Sequence, residues 1–518
     1  MTLLKKFAIL CDLNNSSGLG HLSRMKNLSR ELEKKGSKCY FMFYQKDKKY
    51  ITKHTKNLRV MFFSNRSKIK SIKDILLENS FSMLILDSYE NNLLLEKALV
   101  KKGIFVVSVD DHLRKHFSNI VVSNRAEQVN INSKKPDQIW LTGSKYILVT
   151  KNSKIVKKIQ HKSKKLKLLL HAGGSSSYKH VKDFTFETLG AINKYNLDAS
   201  ILCTSKDSKK YIKTISKKHN SLNRLKILPF IKNLSKKIKN YDIVAGPAGT
   251  TTFESILSGS IPFSVPLKND GRDSVNSWNS LGHLAHLTNE EKKNKVILKN
   301  MWSLIITNYD KLSYVLLKNS KQLDGLGPRR LAEKIIFYFK RGKRKLVNKN
   351  IKHQNNLIVS KKCQILDTRN FLNARNQKLV RAMSTSNRII TWPEHIHWWL
   401  RNDIKKYKLI KGGYTVGYHW SKINQNNKEK FVTSAWFLSK DQPEKLQLAY
   451  EVLKIQSKLV RKIYKNSTWI ISMKKTNKFV QRLNAQFGFY PASNKSISRV
   501  LNDSLKKNTN MQVMEMKI

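Results

Sequence analysis

Between residues 7 and 266 the chain repeats one pattern: a short apolar run, then a helical stretch. The runs are FAIL (7–10), CYFMFY (39–44), MLILD (83–87), IFVVSVD (104–110), KLLLHAG (167–173), ASILCT (199–204), LKILPF (225–230), DIVAG (242–246) and IPFSVP (261–266). They are continuous rather than alternating, so both faces of each strand must be covered. Continuous runs separated by helices such as HLSRMKNLSRELEKK predict parallel sheets with helices on both sides. The series is interrupted by TKNSKIVKKIQHKSKK (150–165), which is polar and lysine-rich. This predicts two α/β halves, 1–150 and 165–340, with ligand loops at the carboxyl ends of their strands.

A second interruption, RGKRKLVNKNIKHQNNL (341–357), has no apolar periodicity and reads as a linker. Beyond it the pattern changes. Helices are predicted around 369–383 and 393–400, and strands near 406–411, 414–421 and 431–439. A long helix over about 443–464, a strand at 469–473 and a helix over 476–487 follow. The fold class expected is therefore α/β, two Rossmann-like domains, followed by an α+β domain over 358–518.

Composition narrows the partners. Lys and Arg number 100 against 35 Asp and Glu, a formal net charge of +65. The lysines are spread over the whole chain together with abundant Asn, Ile and Ser, as compositional drift produces. No nucleic-acid motif accompanies them, so no specific nucleic-acid partner is expected; a basic surface still attracts polyanions such as nucleotide-sugars. No apolar run reaches 18 residues, so no membrane span is expected. The start, MTLLKKFAILCDLNN, reads as a first strand rather than a signal peptide. Cys11, Cys39, Cys203 and Cys363 are scattered, which fits neither a disulfide framework nor a metal site and points to a reducing cytoplasm.

Two loops carry chemistry. Gly18-Leu19-Gly20-His21 joins the first strand to a helix. Its glycines permit close backbone approach, and the helix start offers free N–H groups to a phosphate. The helix dipole opposes a second proton on an imidazole there, and a neutral imidazole in a cleft is a general base. The alternative is a histidine that only caps the helix. The second loop, GPAGTTTFESILSGSIPFSVP (246–266), places a small-residue turn, Gly246 to Gly249, before threonines and Glu254. Amides and hydroxyls at such a turn suit a diphosphate, and a carboxylate one turn later suits a ribose diol. The alternative is a well-capped helix with a buried glutamate.

These segments resemble the GT-B nucleotide-sugar fold, and within it the UDP-sugar hydrolases of pseudaminic acid synthesis. The matching pieces are D-x-x-x-x-x-G-x-G-H-x-x-R (Asp12–Arg24), LILDSY (84–89), VDDHLRKH (109–116), LTGSKYILV (141–149), HAGGSS (171–176), AGTTTFESILSGSIP (248–262) and PLKNDGRDS (266–274). The resemblance spans roughly residues 5–340. It implies inverting, metal-independent hydrolysis of UDP-2,4-diacetamido-2,4,6-trideoxy-β-L-altropyranose to UDP and free sugar, with no cofactor. His21 would activate the water. Asp87 and Asn269 would touch sugar or water. Gly173, Gly174, Ala248, Gly249 and Thr250 would line the diphosphate, and Glu254 would hold the ribose. Asp12, Gly18, Gly20, Arg24 and Tyr89 would complete the substrate site. The pattern departs at Leu10, where the family carries arginine, and at Asp270, where it carries glutamine. Two other readings stand beside this one: a glycosyltransferase resembling the peptidoglycan N-acetylglucosaminyltransferase, and a binding protein whose sites no longer turn over. No oligomeric state is implied.

The third domain opens with FLNARNQKLVRAMSTSNRIITWPEHIHWW (371–399) and closes with TNKFVQRLNAQFGFYPAS (476–493). It resembles GNAT acetyltransferases that modify nucleotide-linked amino sugars. The resemblance implies acetyl-CoA as cofactor and nominates Arg375, Asn376, His395, Asn477 and Tyr490, with Asn477 touching cofactor, Tyr490 donating a proton and His395 touching substrate. The family's glycine-rich pyrophosphate turn is replaced by FLSKDQPEKLQLAYEVL (437–453), where Lys440 or Lys445 could supply charge.

Overall fold

The computed structural model describes residues 5–13, 19–64, 69–90, 92–128, 138–151, 165–173, 178–203, 205–231, 233–266, 275–341, 357–384, 386–426, 429–439, 445–500 and 510–518. The chain divides into two compact units, Met1–Lys349 and Asn350–Ile518.

Unit 1 contains two parallel sheets. The first is built from β1 (Lys5–Cys11), β2 (Ser37–Tyr44), β3 (Val60–Phe63), β4 (Met83–Asp87), β5 (Phe105–Asp110), β6 (Ile120–Ser123) and β7 (Ile139–Leu141), in spatial order β3-β2-β1-β4-β5-β6-β7. The second contains β8 (Lys167–Leu170), β9 (Asp198–Leu202), β10 (Leu225–Leu228), β11 (Ile243–Pro247) and β12 (Ile261–Val265), in order β10-β9-β8-β11-β12. Each sheet reverses its winding once, between β1 and β4 and between β8 and β11. A crevice opens at the carboxyl ends of the strands at such a reversal. β1 and β4 are buried on both faces: Phe7 and Ile9 pack with Leu28 and Ile85, while Ala8 and Leu10 pack with Met42 and Leu84.

The last helix of the unit, Gly327–Arg341, returns to the first sheet. Its Leu331, Ala332 and Ile335 share a core with Phe7 and Ile9, and Phe339 meets Phe7 edge to face at 5.6 Å. The crossing needs a glycine: a Cβ on Gly327 would lie 2.0 Å from the Ile147 carbonyl oxygen.

Unit 2 is a separate mixed sheet of β13 (Val359–Lys362), β14 (Ile404–Lys411), β15 (Tyr414–Asn426), β16 (Glu429–Leu438), β17 (Thr468–Lys474), β18 (Tyr490–Pro491) and β19 (Met511–Lys517), in order β13-β14-β15-β16-β17-β19-β18. β16 and β17 are its one parallel pair among the described residues. They pair only over Phe431–Thr433 and Thr468–Ile470. The helix Lys445–Ile463 joins them and buries Leu453 and Val460 against Val432 and Trp469. The helix expected over 369–383 is two helices, Thr368–Arg375 and Lys378–Ala382.

Candidate functional site in unit 1

The helix Gly20–Glu33 follows β1, and among the described residues no side chain caps its start. Its first backbone N–H groups therefore have no partner within the helix. His21 sits in this first turn, and the carboxylate of Asp87, the last residue of β4, lies beneath it. Nδ1 of His21 is 2.8 Å from Asp87 Oδ1. Arg24, one turn on, donates from Nε to Asp87 Oδ2 at 2.7 Å and from Nη2 to Oδ1. Its Nη1 reaches both oxygens of Asp111, at 3.2 and 3.0 Å. His21, Arg24 and Asp87 are all buried. Burial by itself would raise the Asp87 pKa. The Arg24 charge and the hydrogen bonds from Arg24 and His21 outweigh it and hold the carboxyl well below the usual range.

An ionised Asp87 accepts a hydrogen bond from Nδ1–H, with Arg24 Nη2 also 3.1 Å from Nδ1, and this tautomer leaves Nε2 as the acceptor of the ring. Among the described residues nothing pairs with Nε2. Tyr89, more than a third exposed, stands edge to face on the imidazole with centroids 4.4 Å apart. The arrangement is an oriented base: one nitrogen fixed by a buried carboxylate, the other free.

The second half supplies a second helix start. β11 ends in Gly246 and Pro247, and the helix Thr250–Leu257 follows. Thr252 ties the turn down: its Oγ1 accepts from Gly249 N at 3.3 Å and its N–H donates to Gly249 O at 3.0 Å. A Cβ built on Gly20 would lie 3.5 Å from Thr250 Oγ1. The two helix starts thus face each other across the halves. Glu254 lies half-buried on the second turn. Burial raises its carboxyl pKa to about 7, and no side chain pairs with it among the described residues.

Several nominated residues take other roles. Asp87 is fully buried and bonded to His21 and Arg24, so it positions the histidine and does not touch sugar. Arg24 is consumed by Asp87 and Asp111 and is not free for substrate. Asp12 accepts from Tyr89 N at 2.7 Å and from Ser88 Oγ at 3.1 and 3.2 Å, so it holds the Tyr89 loop. Gly173 (φ 79°) donates its N–H to His171 Nδ1 at 3.2 Å. Gly18, Gly174, Asn269 and Asp270 lie outside the described residues. Leu10, where an arginine was expected by resemblance, is a core residue between Met42 and Leu86 in the sheet.

Sequence reasoning missed two site neighbours. Asp111 is Arg24's second partner. His171, at the end of β8, is buried, and its pKa is lowered to about 4 by desolvation. It lies so close to β11 that a Cβ on Gly246 would sit 2.5 Å from its carbonyl oxygen and 2.6 Å from Nε2. The signal for both was position: each directly follows a strand end at or beside the reversal point.

In unit 2 three nominated side chains are structural. His395, expected to touch substrate, is 3 % exposed, stacks with Phe371, Trp392 and Trp398, and bonds the Thr368 carbonyl at 3.0 Å. Asn376 follows its helix rather than lying within it, and clasps Ile390 through both carbonyl and N–H, at 2.9 and 3.0 Å. Asn477 caps the helix Lys478–Gln486 by accepting from Val480 N at 3.3 Å. Arg375 is half-buried without an ion pair among the described residues, and desolvation lowers its pKa. Tyr490 is exposed. Lys440 lies outside the described residues, and Lys445 begins the long helix.

The chain matches no family model. It is 24% identical over 278 residues to MJ1062, an uncharacterized protein of Methanocaldococcus jannaschii, a match spanning 51% of this chain and 56% of that relative. Among solved structures, Acinetobacter baumannii MurG superimposes with a TM-score of 0.50 at 12% identity, over 64% of this chain and all of that one. The S. aureus MnaA–UDP structure superimposes with a TM-score of 0.46 at 11% identity, over 67% of this chain and all of that one. The likeness to MurG is one of fold: unit 1 is a pair of Rossmann-like domains of the GT-B type, and unit 2 is a separate mixed-sheet domain.

Proposed function

We propose that unit 1 hydrolyses a UDP-linked diacetamido-trideoxy sugar to UDP and free sugar. The observation that carries the reading is His21, held at Nδ1 by buried Asp87 and open at Nε2, at a helix start that faces Gly249 and Thr250. Nε2 takes a proton from water as the water oxygen bonds to the anomeric carbon. The bond from that carbon to the diphosphate breaks, and its electron pair leaves on the diphosphate oxygen. The uncapped helix start and the Gly249–Thr250 turn stabilise that charge. Glu254 takes the ribose hydroxyls. Attack opposite the leaving group inverts the anomeric centre.

The test is phosphorus NMR of the full chain with UDP-2,4-diacetamido-2,4,6-trideoxy-β-L-altropyranose and no acceptor. UDP with free sugar is the expected product, and His21→Ala abolishes it. An unchanged UDP-sugar that is consumed once an acceptor is added would replace hydrolysis by glycosyl transfer.

For unit 2 the proposal is an acetyl-CoA-binding domain acting on the amino sugar before hydrolysis. What supports it is the short pairing of β16 with β17. Past Thr433 and Ile470 the two strands leave backbone groups able to pair with an extended amide chain such as the pantetheine arm. Acetyl-CoA supplies an activated acetyl thioester when bound. The side chains of Asn376, His395 and Asn477 are already engaged and do not fit a role in transfer, so no catalytic step is assigned. Calorimetric titration of the full chain with coenzyme A tests the binding.

A further inference from the structure

The peptide of Tyr89 is gripped from two sides. Asp12 accepts its N–H. Arg114 donates from Nη1 to its carbonyl at 2.9 Å and from Nη2 to the Ser88 carbonyl at 3.2 Å. Arg114 is itself held by Asp110, the last residue of β5, through Nε at 2.9 Å and its backbone N–H at 2.6 Å. Asp110 also accepts from His112 N at 3.1 Å, which bends the chain through Leu113 at φ 58°. A leucine in the left-handed region is unusual and persists where the surroundings over-determine it.

Behind this clamp lies His116. Its Nδ1 is hydrogen-bonded to Glu96 Oε1, on the helix Leu93–Lys101, at 2.8 Å, and its Nε2 is 3.3 Å from Asp110 Oδ2, an ion-pair contact without hydrogen-bond geometry. Burial lowers the imidazole pKa, but the two carboxylates more than reverse this and raise it to about 9. Glu96 further accepts from Phe117 N at 2.6 Å and Ser108 Oγ at 2.7 Å. Asp110 thus touches two cations, Arg114 and His116, and His116 links it to Glu96. Adjacent Asp111 holds Arg24, so the end of β5 serves both supports of His21: Asp87 through Arg24, and Tyr89 through Arg114.

We propose that the Glu96–His116–Asp110 bridge is a positioning element that sets the orientation of the His21 ring by locking Arg114 onto the Tyr89 peptide. This rests on the reading of His21 as the base. Removing the bridge leaves Asp110 and Glu96 unbridged, releases Arg114 and frees Tyr89 to tilt from the imidazole. Misplacement on the ångström scale costs a rate up to about 100-fold.

The test uses the full chain labelled with ¹⁵N-histidine, in which the His21 Nδ1–H signal is assigned among the 14 histidines by its loss in His21→Ala. In His116→Gln we expect that signal to shift or broaden. We also expect kcat for UDP release to fall about 10- to 100-fold with KM changed less than about twofold. In a Tyr89→Ala background, where the ring is already gone, His116→Gln should have no further effect on kcat. An unmoved His21 signal, or a full additive loss in the Tyr89→Ala background, overturns the proposal. Should His116→Gln not fold, Arg114→Lys keeps the charge but loses the double grip, and the same two results apply. If the wild type releases no UDP, hydrolysis fails as a reading, while the His21 signal still decides the positioning role.

Discussion

Asp87→Asn separates an oriented base from a merely buried ion pair. In the wild type the carboxylate accepts from His21 Nδ1 and from two nitrogens of Arg24. An amide oxygen cannot serve all three donors, and its NH₂ must face one of them. If it faces His21, the ring proton moves to Nε2 and the free lone pair is lost. In a Ser-His-Asp triad the same change costs about 10⁴ in kcat, so a loss of about 10³–10⁴, or roughly 4–5 kcal/mol, is expected here. Stability falls as well. Removing one partner of a buried ion pair costs roughly 3–5 kcal/mol, and Arg24 keeps Asp111, so about 3 kcal/mol is expected. Asp111→Asn is the control. Its side chain is 21% exposed and touches Arg24 but not His21, so it should cost about 1 kcal/mol and change kcat less than about threefold. The assay is UDP release together with thermal unfolding of both variants. The pH dependence has a definite sign. The folded pKa of Asp87 is depressed, so its contribution is complete above the unfolded value of about 4 and disappears as pH falls through the folded one. The stability gap between wild type and Asp87→Asn should therefore be flat above about pH 5 and close in acid. Equal kcat losses in the two variants, or an Asp87→Asn enzyme with near-normal kcat, would refute the dyad.

Three further outcomes follow from the geometry. Glu254, with its carboxyl pKa raised to about 7 by burial, destabilises the fold when ionised; Glu254→Gln should unfold at a higher temperature than wild type at pH 8 and equally at pH 4, by on the order of 2 kcal/mol at the upper end, while weakening UDP binding about tenfold by calorimetry. Gly246→Ala would drive a Cβ into the His171 backbone and should cost roughly 3 kcal/mol or more in denaturant unfolding, whereas Gly249→Ala, with nothing within 4 Å of its Cβ, should keep its stability and lose UDP affinity. Buried His395 and His419, their pKa values lowered to about 3 and about 4 by desolvation, should make unit 2 lose stability as pH falls below about 6.5, because the unfolded chain takes up the protons first, and His395→Gln should reduce that slope, leaving the His419 part, in acid titrations followed by tryptophan fluorescence.

Continuous apolar runs made the two parallel sheets legible, because only strands buried on both faces are apolar throughout. β3 and β7 were missed since each is a short edge strand, half-buried over most of its length, and β6, though buried throughout, was missed because its apolar run is only three residues, IVV. β19 was missed because MQVMEMK alternates apolar residues with Gln and Glu. His21 and the Gly246–Gly249 turn were legible from glycine placed before a helix. The partners were not: Asp87 and Asp111 are 63 and 87 residues from Arg24, and only the strand order brings them together. In unit 2 the motif-like residues were misleading for one reason. Asn and His beside a helix end often serve the backbone, and Asn376, Asn477 and His395 do so here.

Gly20 shows why a glycine opens a helix where nearly any residue would form it better. Its backbone is helical, so alanine is compatible there and should stabilise the chain by about 0.5 kcal/mol through the unfolded state. The Cβ would sit 3.5 Å from Thr250 Oγ1, an ordinary contact. Packing alone therefore gives no reason for glycine. The site does: that methyl would stand between the two helix starts, where the diphosphate must reach the N–H groups of both. Gly20→Ala should thus fold at least as well as wild type and bind UDP at least tenfold more weakly, a loss of about 1.4 kcal/mol. Thermal unfolding and UDP calorimetry on one preparation measure both. A Gly20→Ala protein that binds UDP normally would mean that the ligand does not pass between these helices, and would move the nucleotide away from His21.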